Sequence, residues 1–353
     1  MDLYEKSIQI IKANQHSSGS YIASPDFESY KYCWLRDGTF TAYAMDIACE
    51  HESSKRFYKW VNSVIKRYSY KIEDIFKKLY KNEIINTNDF LNTRYTLLGY
   101  ESNQKWANFQ LDGYGIWLWG LAQHIKFTGN KNFLIGFKES IDNIKKYLSL
   151  LWNNNNYDCW EENIDKVHVS TLACIYGGLK EISQFYPDID SSHLTDEIKE
   201  FVLSKGVVNN HFVKYIGTDE VDASLLWLST PFRLIEPDEE IMLNTVGIIE
   251  KDLLKDGLYR YKNDTYYGGG EWILLTAWLA WYYTEINKND KAHHLLKWIE
   301  SKADKDGNLP EQININVLNS DFYYKWIEEK GKPAKTLLWS HAMYIILKNA
   351  LGN

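Results

Sequence analysis

The sequence contains no apolar run long enough to cross a bilayer; the longest, such as residues 274–283, fall far short of the roughly 20 residues a spanning helix needs. Its start, residues 1–11, is an acidic amphipathic segment without the basic stretch and apolar core of a secretory leader. A soluble protein in the cytoplasm is therefore expected. Positive charge is in deficit, with 40 Lys and Arg against 47 Asp and Glu and a formal net charge of -7. Without clustered cations there is no electrostatic reason to bind nucleic acid or an anionic membrane surface. Cysteine is scarce too. Cys33, Cys49, Cys159 and Cys174 have neither metal-type pair spacing nor the density of a disulfide scaffold, and read as free thiols in a reducing compartment. No His or Cys cluster has ligand spacing, so neither a metal nor an organic cofactor is expected, and His293, His294 and His341 read as surface or packing residues. Alternating strand patterns are almost absent, and no low-complexity linker divides the chain. Residues 1–353 are expected to form one domain.

Aromatic residues are abundant: 15% of the chain, with 14 Trp and 26 Tyr. Flat apolar faces with a polar edge suit sugar rings, but they also fill large helical cores, and core filling accounts for most of them. Apolar periodicity marks about twelve helical segments of two kinds. Residues 39–49, 116–127, 168–184, 221–228, 273–283 and 337–347 are apolar on most sides, as helices surrounded by protein must be. Residues 53–67, 131–150, 238–251 and 290–302 carry one apolar stripe and a charged opposite face, and belong outside. An outer helix followed by an inner one, repeated about six times, predicts an all-α fold with a closed double ring of helix pairs, an (α/α)6 barrel.

Polar and aromatic clusters precede or open each inner segment: Trp34-Leu35-Arg36-Asp37, Gln110-Leu111-Asp112-Gly113, Trp160-Glu161-Glu162, Asp222, Gly268-Gly269-Gly270-Glu271-Trp272 and Trp339-Ser340-His341. Helix capping explains any one of them, but six at one rim point to a pocket. The carboxylates able to act as acid and base are Glu161, Glu162 and Glu311. Like charge and burial beside Trp160 would raise the pKa of whichever of Glu161 and Glu162 faces the pocket. Glu311 lies in the turn-rich Gly307-Asn308-Leu309-Pro310-Glu311-Gln312, where nothing helical calls for an acid.

These motifs, in this order, resemble the glucoamylase-like enzymes of glycoside hydrolase family 15 over nearly the whole chain. The resemblance implies the same (α/α)6 barrel and an inverting, exo-acting α-glucosidase that needs no cofactor and binds a small oligosaccharide or α-glucan. It implies that Glu161 is the general acid, Glu311 the general base, and Glu162 a substrate-contacting neighbour. Trp34, Arg36 and Asp37 would hold the terminal glucose, with Trp106 as an aromatic platform beside Gln110 and Asp112. Trp160, Arg260, Tyr266 and Trp272 would complete the glucose site, and Ser340 would hydrogen-bond Glu311. Asn263 stands where some relatives carry a glutamate, and the chain starts almost at its first barrel helix. Short saccharides are thus expected over polymeric starch. Isomaltose-type α-1,6 glucosides and trehalose are the alternative substrates, and a non-catalytic glucan-binding or regulatory protein is the alternative of another class.

Overall fold

A computed structural model describes residues 2–186 and 191–352; Met1, residues 187–190 and Asn353 of the expected 1–353 domain lie outside the described residues. Among the described residues there are twelve α-helices: α1 Leu3–Ala13, α2 Leu35–Ile47, α3 His51–Tyr80, α4 Asp112–Thr128, α5 Lys138–Leu151, α6 Val169–Ser183, α7 Ser192–Lys205, α8 Glu240–Leu253, α9 Ile273–Glu285, α10 Asn289–Ser301, α11 Ser320–Lys330 and α12 Leu338–Ala350. Helices α2, α4 and α6 pack in succession, followed by the 3-10 segment Ala223–Leu228, α9 and α12, and α12 returns to α2. That sequence of contacts closes an inner ring of six elements. Helices α1, α3, α5, α7, α8 and α10 lie around it, so the architecture is the (α/α)6 barrel expected from periodicity.

Side-chain chemistry explains the sorting. Helix α9 has every residue from Ile273 to Tyr283 buried, which only an element enclosed on all sides can tolerate. Helix α3 buries Phe57, Val61, Val64, Tyr68, Ile72 and Ile75 along one stripe and, apart from the buried Lys71 paired with Glu101, keeps its Lys and Glu residues toward the outside. Much of the aromatic excess fills the barrel axis. Phe40 lies 4.7 Å from Trp278 and stacks on Trp339 at 5.9 Å, while Trp227 and Trp278 approach to 5.1 Å.

Four elements differ from expectation. The fourth inner element is the buried 3-10 segment Ala223–Leu228, because Asp222 caps it and Pro231 follows too soon for an α-helix to develop. Residues 131–150 split into the 3-10 segment Lys131–Phe137 and helix α5. Helix α3 continues thirteen residues beyond the expected end at Arg67, and α11 occupies a stretch whose sequence shows no clear stripe. Among the described residues no helix is long and apolar enough to cross a membrane.

The inner-to-outer connections include very short ones: residues 48–50 join α2 to α3, and 286–288 join α9 to α10. Outer-to-inner connections are long, and all reach the end of the barrel where the inner helices begin. Residues 14–34, 81–111, 152–168, 206–222, 254–272 and 302–337 therefore converge on one rim.

Helices α4 and α6 touch backbone to backbone. A Cβ on Gly178 would lie 2.1 Å from the carbonyl oxygen of Gly115, and one on Gly115 would lie 2.5 Å from that of Cys174. In an open helix Gly→Ala stabilises by about 1 kcal/mol. Here Gly178→Ala is expected to destabilise by about 1 to 3 kcal/mol through overpacking, measured as a lowered urea midpoint at unchanged m-value.

Candidate active site

The rim encloses a cavity of about 420 Å³, within the range of small-ligand sites. Trp34, Arg36 and Asp37 from the start of α2 line it, with Trp106, Trp160, Glu161, Glu162, Arg260, Tyr266, Trp272, Glu311 and Trp339. Two arginines organise its charge. Arg36 Nη1 donates to Asp112 Oδ2 and Gln110 Oε1, each at 2.8 Å, and its Nε lies 3.5 Å from Asp37. Arg260 forks onto Asp264 and reaches Glu162 Oε1 at 3.2 Å, while the Tyr261 hydroxyl donates to Glu162 Oε2 at 2.5 Å. Gln110 and Asp112 are fully buried and hold Arg36 and Glu161 from behind; they are not among the cavity-lining residues.

Glu161 lies in a turn ahead of α6, not at the helix start, with φ +69°, a left-handed conformation uncommon outside glycine. Asp158 holds the turn: its carboxylate accepts the backbone N–H of Trp160 at 3.0 Å and of Glu162 at 2.8 Å, and its carbonyl accepts that of Glu161. Trp160 Nε1 is fixed in turn by Asp222 at 3.0 Å. The capping role of Asp222 is present as well, through Ser224 N at 2.8 Å. Glu161 Oε1 accepts from Trp34 Nε1 at 2.7 Å and from Gln110 Nε2 at 3.1 Å. Pinning one oxygen with two N–H donors leaves the other as the natural seat for a proton.

Glu311 is held differently. Leu309 N donates to His341 Nε2, Glu311 N to Ala334 O, and Ser340 Oγ to Pro310 O at 2.8 Å. Ser340 thus anchors the peptide before Glu311; the direct bond to the carboxylate implied by the family resemblance is not formed. Burial lowers the His341 pKa to about 3, so the ring is neutral and structural, as its sequence context suggested. The Glu311 carboxyl instead meets two tyrosines: Tyr30 OH donates to Oε1 at 2.8 Å, Tyr266 OH to Oε2 at 3.3 Å, and the two hydroxyls are 2.8 Å apart. Two tyrosine protons cannot serve three such contacts at once, whereas a protonated Glu311 supplies the third. Burial raises the Glu311 pKa to about 7, against the lowering effect of the Tyr30 bond and the Arg260 charge. Burial likewise raises Asp37 and Asp158 to about 7.

Several polar atoms on the lining are unspent. Arg36 Nε, Asp37 Oδ2, Trp272 Nε1 and Trp339 Nε1 are buried without a hydrogen-bond partner among the described residues. Buried polar groups are ordinarily paired, so this lining suits a ligand rich in hydroxyls. Sequence reasoning missed Tyr30, which belongs to no motif, and the wall supplied by Trp326 and Lys330 of α11. Trp326 packs edge-on to Tyr266 at 5.0 Å. Helix α11 is tied to the Tyr266–Gly268 turn by Asn319 N on Gly268 O and by Tyr267 OH on Gly331 O.

Comparison with known proteins identifies the family. Residues 1–305 match the family described as Glycosyl hydrolases family 15. The isomaltose glucohydrolase of Kribbella flavida is 36% identical, over 99% of this chain and 93% of its own. Trehalase 2 of Sulfolobus acidocaldarius is 26% identical over 79% of this chain and 53% of its own. A glycosidase variant solved in complex with glucose superposes with a TM-score of 0.96 at 36% identity, covering 99% of this chain and 96% of that one. On these grounds the chain belongs to glycosyl hydrolases family 15 and is a glycosidase.

Proposed function

We propose that the protein is an exo-acting, inverting α-glucosidase that releases β-glucose from short α-linked glucosides, with isomaltose the first candidate. One observation carries the reading. Two carboxyls from separate loops face one closed-ended pocket in unlike surroundings, Glu161 beneath two N–H donors and Glu311 between two hydroxyls. Glu161 protonates the glycosidic oxygen through its unpinned oxygen. Glu311, ionised, takes a proton from water attacking the anomeric carbon, and Tyr30 and Tyr266 hold its carboxylate meanwhile. Arg36, Asp37, Trp272 and Trp339 grip the terminal glucose, with Trp106 and Trp160 as apolar faces. Gln110 and Asp112 act through Arg36, and Ser340 acts through the loop backbone.

Isomaltose comes first because the Kribbella flavida enzyme, similar over almost the full length of both chains, is named for it. Trehalose is the second reading, from the Sulfolobus acidocaldarius trehalase. One catalytic unit over 1–353 is supported by a single hydrophobic cluster drawing on every inner element. A cytoplasmic location accords with four free cysteines.

Glucose release from isomaltose, maltose, maltotriose, trehalose and soluble starch tests the reading. The expected result is highest kcat/KM on a disaccharide, with losses of about a thousandfold or more in Glu161→Gln and Glu311→Gln. Intact sugar binding with no hydrolysis of any of them would favour a binding protein instead.

The profile of kcat/KM against pH reports the essential acid and base of the free enzyme. Glu311 gains its proton as pH falls through about 7, so one limb of the profile is expected near that value. Because the Tyr30 bond lowers the Glu311 pKa, Tyr30→Phe is expected to move that limb to higher pH. Initial rates at low substrate across about pH 4 to 9 measure both.

A further inference from the structure

Arg94 belongs to no motif and does not line the cavity, yet it is only 1% exposed. It sits in the connection between α3 and α4, paired across a short antiparallel ladder with Trp34. Its guanidinium carbon lies 3.5 Å from the ring centroid of Trp106, 4.1 Å from that of Tyr32 and 5.1 Å from that of Trp34. Nη1 donates to Ser29 O at 2.8 Å and Nη2 to Gln104 Oε1 at 3.1 Å, while Nε is buried without a partner. Among the described residues Arg94 has no ion-pair partner, unlike Arg36 and Arg260, which each hold carboxylates. A buried, unpaired cation is costly, and the fold retains it against three aromatic faces beside the site.

We infer that Arg94 is a positioning residue for the reaction, acting on Glu161 through the indole of Trp34 while fixing the platform Trp106 and the segment that carries Tyr30. Trp34 Nε1 donates to Glu161 Oε1 at 2.7 Å, so a cation against the same indole makes that N–H a stronger donor. As Glu161 gives up its proton, charge develops on the oxygen this donor faces, and Arg94 stabilises it without touching substrate. Arg36 and Asp37, both from the start of α2, also feel the Glu161 charge. Its neighbour Glu162 is occupied by Arg260 and Tyr261. Glu161 is also the leading favourable charge felt by Arg94, whose pKa burial lowers to about 10, leaving it cationic at neutral pH. On the opposite side the bond to Ser29 O fixes the residue preceding Tyr30, the donor to Glu311. One side chain thereby spaces the acid side of the pocket from the base side.

This inference rests on Glu161 being the general acid, and the experiment separates the two. Profiles of kcat/KM against pH are recorded for wild type, Arg94→Met and Arg94→Lys with isomaltose or whichever disaccharide is cleaved best. Wild type is also profiled with α-glucosyl fluoride, whose leaving group has little need of an acid, so the limb present on the disaccharide and absent on the fluoride is the acid limb, and Glu161→Gln retaining fluoride hydrolysis while losing the disaccharide assigns that limb to Glu161. Removing a positive charge near a carboxyl raises its pKa. Arg94→Met should therefore move that limb up by about one pH unit with a fall in kcat, and Arg94→Lys should hold it near wild type. Equal losses in both variants with the limb unmoved would reduce Arg94 to a packing residue and overturn the inference. Full disaccharide activity in Glu161→Gln would instead overturn the assignment of Glu161 itself. Circular dichroism melts of both variants confirm that the profiles come from folded protein.

Discussion

The site depends on closure of the inner ring between α12 and α2. That contact joins residues some three hundred positions apart in the chain, stacking Phe40 on Trp339. It brings Ala23 O to Leu338 N, Ser7 to His341, and Tyr30 to Glu311 across 281 positions. Loss of this seam would leave the two candidate carboxyls on unconnected loops. The parallel run of the inner elements does the rest. Each starts at the same rim, so the long connection before each one delivers its side chains to a common pocket, while the short returns at the far end carry none.

Within the pocket, burial raises the energy of every ionised carboxyl, and the fold answers differently at each. Glu162 and Asp264 share Arg260, Asp112 and Asp37 share Arg36, and Asp158 is spent on backbone N–H groups that hold the Glu161 turn in a left-handed conformation. Glu311 receives only hydroxyls and stands with its pKa lifted to about 7 by burial. A carboxyl that gains and loses a proton near neutrality, opposite one pinned beneath two N–H donors, is the asymmetry that acid–base cleavage of a glycoside requires.

The sequence carried the fold well, because an enclosed helix must be apolar all round and an outer one must not; α9 and α3 illustrate each case. It failed where local chemistry overrides periodicity, as at Ala223–Leu228, and where an element packs on a turn rather than the barrel, as α11 does on Tyr266–Gly268. At the site, Trp34, Arg36, Asp37, Glu161, Glu162, Arg260, Trp272 and Glu311 were legible as motif residues, and all line the cavity. Tyr30 and Arg94 were not, since each acts through a partner far away in the chain and no local spacing marks it. Ser340 was legible in kind, but its bond falls on the Pro310 carbonyl one peptide short of the expected carboxyl.

The central claim is that Glu161 and Glu311 act from opposite faces of the sugar in a single displacement. Proton NMR of the glucose released in the first minutes of disaccharide hydrolysis, before mutarotation, tests it directly. The account predicts the β-anomer as the initial product; initial release of α-glucose would contradict it.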